Sequence, residues 1–158
     1  MVPERRSVET TDLADELVEC VTRIRRVLDL RLQVHGVSVA RTRVLGALAD
    51  GPARQAVLAE TLELAPRTIT EAVDALERDG LVRRAADPDD RRAWLVHLTA
   101  AGRRTYQAAL TTRRQAVDQV FADLTSEQQA ALSTQLHRLR ERAAAMTVPS
   151  PAHPHRTV

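Results

Sequence analysis

The chain has no lysine, a single cysteine, and only one tryptophan, one tyrosine and one phenylalanine. Each scarcity excludes something. One thiol, Cys20, can neither close an intramolecular disulfide nor form a CxxC metal site. Three rings (Trp94, Tyr106 and Phe121) cannot fill a thick core, so the interior has to be built from Leu, Val and Ala in thin helical layers. No apolar run approaches the length that crosses a bilayer. The first eleven residues are polar and include Glu4 and Glu9, which argues against a signal peptide and makes the cytoplasm the expected compartment. The sequence offers no Gly-rich phosphate loop, no metal-ligand spacing and no Ser/His/Asp or Cys/His set. Neither catalysis nor a cofactor is therefore expected.

What remains is soluble globular stock: 158 residues, 44% apolar and 28% charged, enough for one domain or one domain with a dimerisation arm. The formal net charge is only +2, while the pI is about 9.4. Every cationic side chain other than histidine is arginine, whose planar fork grips phosphate and guanine edges bidentately. Genomic base composition explains an all-arginine inventory equally well, so placement matters more than the total.

Apolar spacing of three and four (Leu13, Leu17, Val21, Ile24, Leu28) predicts a long helix from about Thr11 to Val34, capped by Thr11 or Asp12 and closed by Gly36. Ser38 opens a second helix to about Ala49, with Val44, Leu45 and Leu48 inward. Asp50-Gly51-Pro52 is a turn, and a short helix from about Arg54 to Thr61 follows, with Val57, Leu58 and Leu62 inward. Pro66 suits the first turn of the next helix, which carries a stripe of Ile69, Ala72, Val73 and Leu76 and ends at Gly80. Leu81 to Ala86 and Arg92 to Leu98 read as an antiparallel hairpin with the charged tip Asp87-Pro88-Asp89-Asp90-Arg91. Thr99 caps a helix from about Ala100 to Asp123, with Tyr106, Leu110, Val117, Val120 and Phe121 on its apolar stripe. Thr125 and Gln128 form a capping box for the last helix, where Leu132, Leu136, Leu139, Ala143 and Met146 make a heptad seam. Pro149, Pro151 and Pro154 mark a disordered tail, where His153 and His155 lack the further ligands a metal needs.

Two stretches carry a resemblance. LAETLELAPRTITEAVDALERDGLVRR (Leu58 to Arg84) and DPDDRRAWLVHLTAAGR (Asp87 to Arg103) are similar to the reading helices and wing of the MarR family of bacterial regulators. The second stretch has acidic residues, a basic pair, an alternating strand, then Leu-Thr and a glycine three residues on. The likeness covers roughly Asp12 to Ala145. It implies a mainly α fold with a small β-hairpin wing: a DNA-binding core at 38–98, dimerisation helices at 11–35 and 100–147, and disordered ends at 1–10 and 148–158. It also implies a triangular homodimer on a pseudo-palindromic operator of double-stranded DNA, commonly a repressor, released by a small-molecule effector or an oxidant.

On that reading, the first turn of the recognition helix presents Arg67, Thr68 and Thr70 to the major groove, beside Glu71. The resemblance lays the wing along the minor groove, with Asp90 orienting Arg92 and either Arg91 or Arg92 entering. Arg54 and Gln55 are candidate phosphate contacts. Asp74, Glu77 and Asp79 make the later turns of the helix acidic, so these must face away from DNA or pair with Arg78, Arg83 or Arg84. That acidity also motivates a rival reading, a winged-helix dimer acting through protein partners. His35 and Arg41 are weak candidates for an anionic effector, and capping or surface roles account for both. Cys20 falls in the helix where some relatives sense oxidants. Its acidic neighbours Glu16 and Glu19 oppose a thiolate, and a place beside Leu17, Val21 and Ile24 favours a small buried core residue.

Overall fold

In the computed structural model, which describes residues 9–90 and 92–146, the chain runs α1 (Thr10–Leu32), a 3-10 turn (Gln33–His35), α2 (Val39–Ala47), β1 (Ala53–Arg54), α3 (Gln55–Leu62), α4 (Pro66–Arg78), β2 (Val82–Ala86), β3 (Trp94–Leu98), α5 (Ala100–Val120) and α6 (Ser126–Met146). Arg91 and the terminal stretches 1–8 and 147–158, with the prolines and histidines of the tail, lie outside the described residues. The mainly helical, winged architecture expected from the sequence is the one observed.

The sheet differs in one respect. It has three strands in the order β1-β3-β2, all antiparallel, because Ala53 and Arg54 pair with Val96 and Leu95. The sequence reading placed Arg54 inside a helix. Pairing with β3 holds Arg54 extended (φ −72°, ψ 149°) as the residue before the helix, which begins at Gln55. Two residues are too few to show alternation. Val57, expected inward, is 49% exposed, while Leu58 and Leu62 are buried.

Most boundaries follow from caps. Ser38 Oγ accepts from Arg41 N–H at 3.2 Å and starts α2, and Asp29 Oδ1 on α1 accepts from Val39 N–H at 2.7 Å. Pro66 occupies the first turn of α4, and Gly80, at φ +70°, ends it. Neither Thr11 nor Asp12 caps α1: it starts one residue earlier, behind Glu9, with no side-chain cap. It also stops at Leu32 and tightens into the 3-10 turn before the left-handed Gly36.

The chain forms two compact units that part between Val120 and Phe121. The core of the first collects Leu32 from α1, Leu45 from α2 and Leu48 just after it, Leu58 from α3, the α4 stripe Ile69, Val73 and Leu76, and Val82 and Val96 from the sheet. On α5 the fully buried positions are small residues seven apart, Gly102, Ala109 and Ala116, and the larger Tyr106, Leu110 and Val117 are only half-buried. Small side chains let backbones approach closely. The expected stripe on α1 is largely open, with Leu13, Leu17 and Val21 exposed, because no other part of the first unit covers it. In the second unit the Thr125–Gln128 capping box is made in both directions, and α6 exposes Leu132, Leu136, Leu139 and Met146.

The junction of hairpin and α5 turns on Gly102. Thr99 N–H donates to the Leu81 carbonyl at 3.1 Å, Thr99 Oγ1 lies 2.8 Å from the Gly80 carbonyl and 3.1 Å from that of Leu81, and it accepts from Gly102 N–H at 2.9 Å. A Cβ on Gly102 would meet the Leu81 carbonyl oxygen at 2.0 Å and Leu98 Cδ1 at 2.8 Å. Gly102→Ala is therefore expected to cost about 1–3 kcal/mol as overpacking, seen as a lower urea midpoint at unchanged slope.

Candidate nucleic-acid interface

Helix α4 has a strongly two-sided sequence. Ile69, Val73 and Leu76 are buried, which turns Arg67 and Thr70 outward. Arg67 is 90% exposed, and its Nε donates to Glu71 Oε1 at 2.9 Å. An exposed i,i+4 pair contributes only about 0.3–0.5 kcal/mol, so this guanidinium is readily available to another anion. Thr70 Oγ1 hydrogen-bonds the Pro66 carbonyl at 3.1 Å and the Gln55 amide at 3.2 Å. Thr68 points elsewhere: it borders a hollow lined by Ile24 and Leu28 of α1 and Ala40 and Arg43 of α2. The four expected side chains thus divide, with Arg67, Thr70 and Gln55 together and Thr68 on the other flank.

The acidic later turns of α4 are paired within the chain. Arg84 on β2 bridges both Asp74 and Glu77, and its own backbone N–H donates to Glu77 Oε1 at 2.9 Å. With the Gln55 amide turned so that its oxygen faces Arg84, Gln55 accepts from that guanidinium at 2.8 Å and donates to Thr70. A polar chain therefore connects the last turns of α4 to its first through the sheet. Of the three arginines considered from the sequence, Arg84 takes two of the carboxylates. Asp79 instead pairs with Arg41 of α2, whose Nη1 also donates to the Gly36 carbonyl at 2.8 Å. His35 hydrogen-bonds Thr112 on α5 at 2.8 Å. Both weak effector candidates are therefore engaged in holding helices together.

The hairpin tip is organised by Asp87, a residue absent from the expected contacts. Its side chain is only 7% exposed. Asp87 Oδ2 accepts from Arg54 Nε at 2.8 Å and meets Arg54 Nη2 at 2.6 Å. Asp87 Oδ1 accepts from Asp89 N–H at 2.9 Å. The backbone donors, first that of Asp89, and then the Arg54 guanidinium hold the Asp87 carboxyl below the usual carboxylate range. Asp87 N–H donates to the Ala93 carbonyl at 3.0 Å, and Ala93 N–H to the Asp90 carbonyl at 2.9 Å. Asp90 Oδ1 accepts from the backbone N–H of Arg92 at 3.1 Å, and Arg92 itself is exposed. Trp94, 60% exposed, borders a hollow with Gln55 and Arg84 between the α3 start and the wing. No periodicity singles it out.

Cys20 is exposed rather than part of a core, because the apolar face of α1 beside it is uncovered. Arg23, one turn away, donates to Glu19 at 2.9 Å. Among the described residues no group of three or more His, Cys, Asp or Glu is placed to hold a metal ion, and no helix is long and apolar enough to cross a membrane.

A sequence profile of the MarR family matches residues 35–93, the stretch that contains both α4 and the wing. The solved structure of a probable transcriptional regulator from Pseudomonas aeruginosa is 30% identical at a TM-score of 0.74, over 85% of this chain and 99% of that one. The chain belongs to the MarR family. A curated relative from Bacillus subtilis (strain 168), the uncharacterized HTH-type transcriptional regulator YsmB, is 32% identical over 83 residues, 52% of this chain and 57% of that protein. The match thus spans little more than half of that relative's length. The crystal structure of a mutant MarR from E. coli complexed with operator DNA shares the MarR fold at a TM-score of 0.73, with 22% identity over 80% of this chain and 92% of that one.

The lowered Asp87 carboxyl fixes the sign of a pH effect. A carboxyl whose folded pKa lies below its unfolded value contributes stability that is complete above the unfolded value and is lost as pH falls through the folded one. The stability difference between the parent chain and Asp87→Asn should therefore be constant from neutral pH downward and shrink only below about pH 4. Urea unfolding of both proteins across that range checks it. A difference that grows on acidification would contradict the assignment.

Proposed function

We propose that the chain is a homodimeric, sequence-specific DNA-binding transcriptional regulator, a repressor released by a small ligand. The observation that carries this reading is the pairing of an exposed α4 first turn, headed by Arg67, with a braced wing that leaves Arg92 free of side-chain partners among the described residues. Arg67 and Thr70 suit base edges or phosphates in the major groove, and Arg92 suits the negative potential of a narrow minor groove. The operator complex of the E. coli relative supports DNA as the partner.

The uncovered apolar residues support self-association. Leu13, Leu17 and Val21 in the first unit, and Leu132, Leu136 and Leu139 in the second, are exposed at helical spacing, as expected of faces that close on a second copy. The rival reading drew on an acidic α4. With Asp74, Glu77 and Asp79 each paired to an arginine of the chain, that motive is gone.

A cavity of about 320 Å³ supports effector binding. Leu32, Leu62 and Tyr106 supply apolar walls, Arg43 and Arg113 supply charge, and Thr42 adds a hydroxyl. Thr42 is buried with no hydrogen-bond partner for its Oγ1, and such a group is costly unless something meets it. Neither His35 nor Arg41 lines the cavity. An anion with an apolar body fits this lining.

Selection of duplexes from a random pool with the purified chain tests the reading. An inverted repeat with half-site centres about 10 bp apart is expected, bound by two chains. On the selected duplex, Arg67→Ala should cost about 5- to 150-fold in affinity with relaxed preference at one position. Arg92→Ala should weaken binding across sequences and reduce the log–log salt slope by about one. Failure to enrich any sequence would refute the proposal.

A further inference from the structure

Arg54 was expected to touch phosphate, yet its guanidinium is turned to the carboxylates of the hairpin tip, with the side chain still 42% exposed. It sits at the end of the two-residue strand β1, in register with Leu95 of β3, and no side chain caps the α3 N-terminus it precedes. It donates from Nε to Asp87 Oδ2 at 2.8 Å, with Nη2 at 2.6 Å from the same oxygen and 3.6 Å from Asp90 Oδ2. Asp87 is nearly buried and Asp90 half-buried. A carboxylate withdrawn from water is tolerated only where it is paired and hydrogen-bonded, and Arg54 is the cation that meets it. The remaining oxygen of Asp87 and its backbone fix Asp89, Asp90 and Ala93, and Asp90 fixes the backbone of Arg92. Every step from β1 to the exposed arginine of the wing is a hydrogen bond or ion pair.

We propose that Arg54 is a positioning residue of the DNA-reading surface: a latch that holds the wing against β1 through Asp87 and so sets where Arg92 is presented. It does not contact the DNA backbone. This rests on the DNA-binding reading, and the two fail in different experiments. The geometry makes the latch and a phosphate contact opposite in sign for Asp87. If Arg54 touched phosphate, freeing it from Asp87 would strengthen binding. If it latches the wing, freeing it weakens binding.

The test uses the full chain, the duplex recovered by selection, and the variants Arg54→Ala, Arg54→Lys, Asp87→Asn, Arg92→Ala and the Arg54→Ala/Arg92→Ala double. Affinities come from fluorescence anisotropy across a salt series. Arg54→Ala and Asp87→Asn should each weaken binding by about the same factor as Arg92→Ala, on the order of tenfold. The double variant should bind within about twofold of its weaker parent, because residues acting through one contact are not additive. Arg54→Lys, which keeps the charge, should recover part of the loss. A double variant whose losses multiply and whose salt slope falls by a further unit of about one, or an Asp87→Asn chain that binds more tightly, would overturn the latch.

A second arm needs no DNA. Limited trypsin digestion followed by mass spectrometry measures cleavage after Arg92. In Arg54→Ala and Asp87→Asn it should accelerate by at least about tenfold relative to sites in α5, since proteolysis follows the population of the opened segment, and Arg54→Lys should lie between. Unchanged cleavage at Arg92 in both variants refutes the latch even if DNA binding is confirmed. A chain that selects no DNA but shows the accelerated cleavage leaves the latch standing and removes the DNA-binding reading.

Discussion

A single carbonyl, that of Leu81, is where the reading helix, the hairpin and the long α5 helix meet. It follows Gly80, whose left-handed backbone ends α4, and it opens the strand that leads to the wing. Thr99 closes the hairpin onto it with its backbone N–H, its hydroxyl spanning the Gly80 and Leu81 carbonyls, and Gly102 brings the α5 backbone so near that no side chain fits between. Three elements that must keep a fixed mutual angle are thus referred to one atom. Hydrogen bonds set the direction and steric exclusion sets the distance, so the junction has little freedom to tilt. The Leu-Thr and the spaced glycine of the wing motif acquire a physical meaning: they are the clamp at the hairpin's fixed end.

The other end of the hairpin is held by charge instead. Asp87 is buried and balanced by Arg54, and that pair binds the tip to the shortest strand of the sheet. A hairpin fastened at both ends behaves as a lever with a defined position, whereas one fastened only at Leu81 would sweep an arc. Arg84 does the corresponding work for α4, drawing Asp74 and Glu77 against β2, while Arg41 holds Asp79 from the α2 side. Each of these ion pairs is only partly exposed, so solvent and salt screen it less than the open Arg67–Glu71 pair. Rigidity and availability are divided among chemically identical side chains by burial alone.

Much of the fold was legible because its signals are local. The α4 stripe, the Pro66 start, the Gly80 stop, the Ser38 cap and the Thr125–Gln128 box all act within a few residues, and each is realised. What escaped the sequence depends on partners distant in the chain. The strand at Ala53–Arg54 exists only because β3 is there to receive it. The burial of Gly102, Ala109 and Ala116 in place of the larger residues on α5 reflects close helix approach, which no hydrophobicity pattern encodes. Asp87 read as one more acid in a polar turn, and its partner lies 33 positions away. Arg91, one of the two wing candidates, lies outside the described residues. On the rest of the surface, Arg54 and Arg41 are held in ion pairs within the chain, and Thr68 faces the α1 flank.

The composition now bears a different weight. A net charge of +2 suggests a weak electrostatic reader, but net charge counts groups already paired within the chain. Arg41, Arg54 and Arg84 neutralise Asp79, Asp87, Asp74 and Glu77 inside the chain. These groups cancel locally and add little to the field a phosphate senses from beyond a Debye length of about 8–10 Å. Outside these pairs, Arg67 at the head of α4 and Arg92 on the wing are exposed, as are Arg78 and Arg83. Counterion release scales with the number of phosphates neutralised, while discrimination depends on where each fork points. Two copies joined through the open apolar faces would double the available cations without loosening either set.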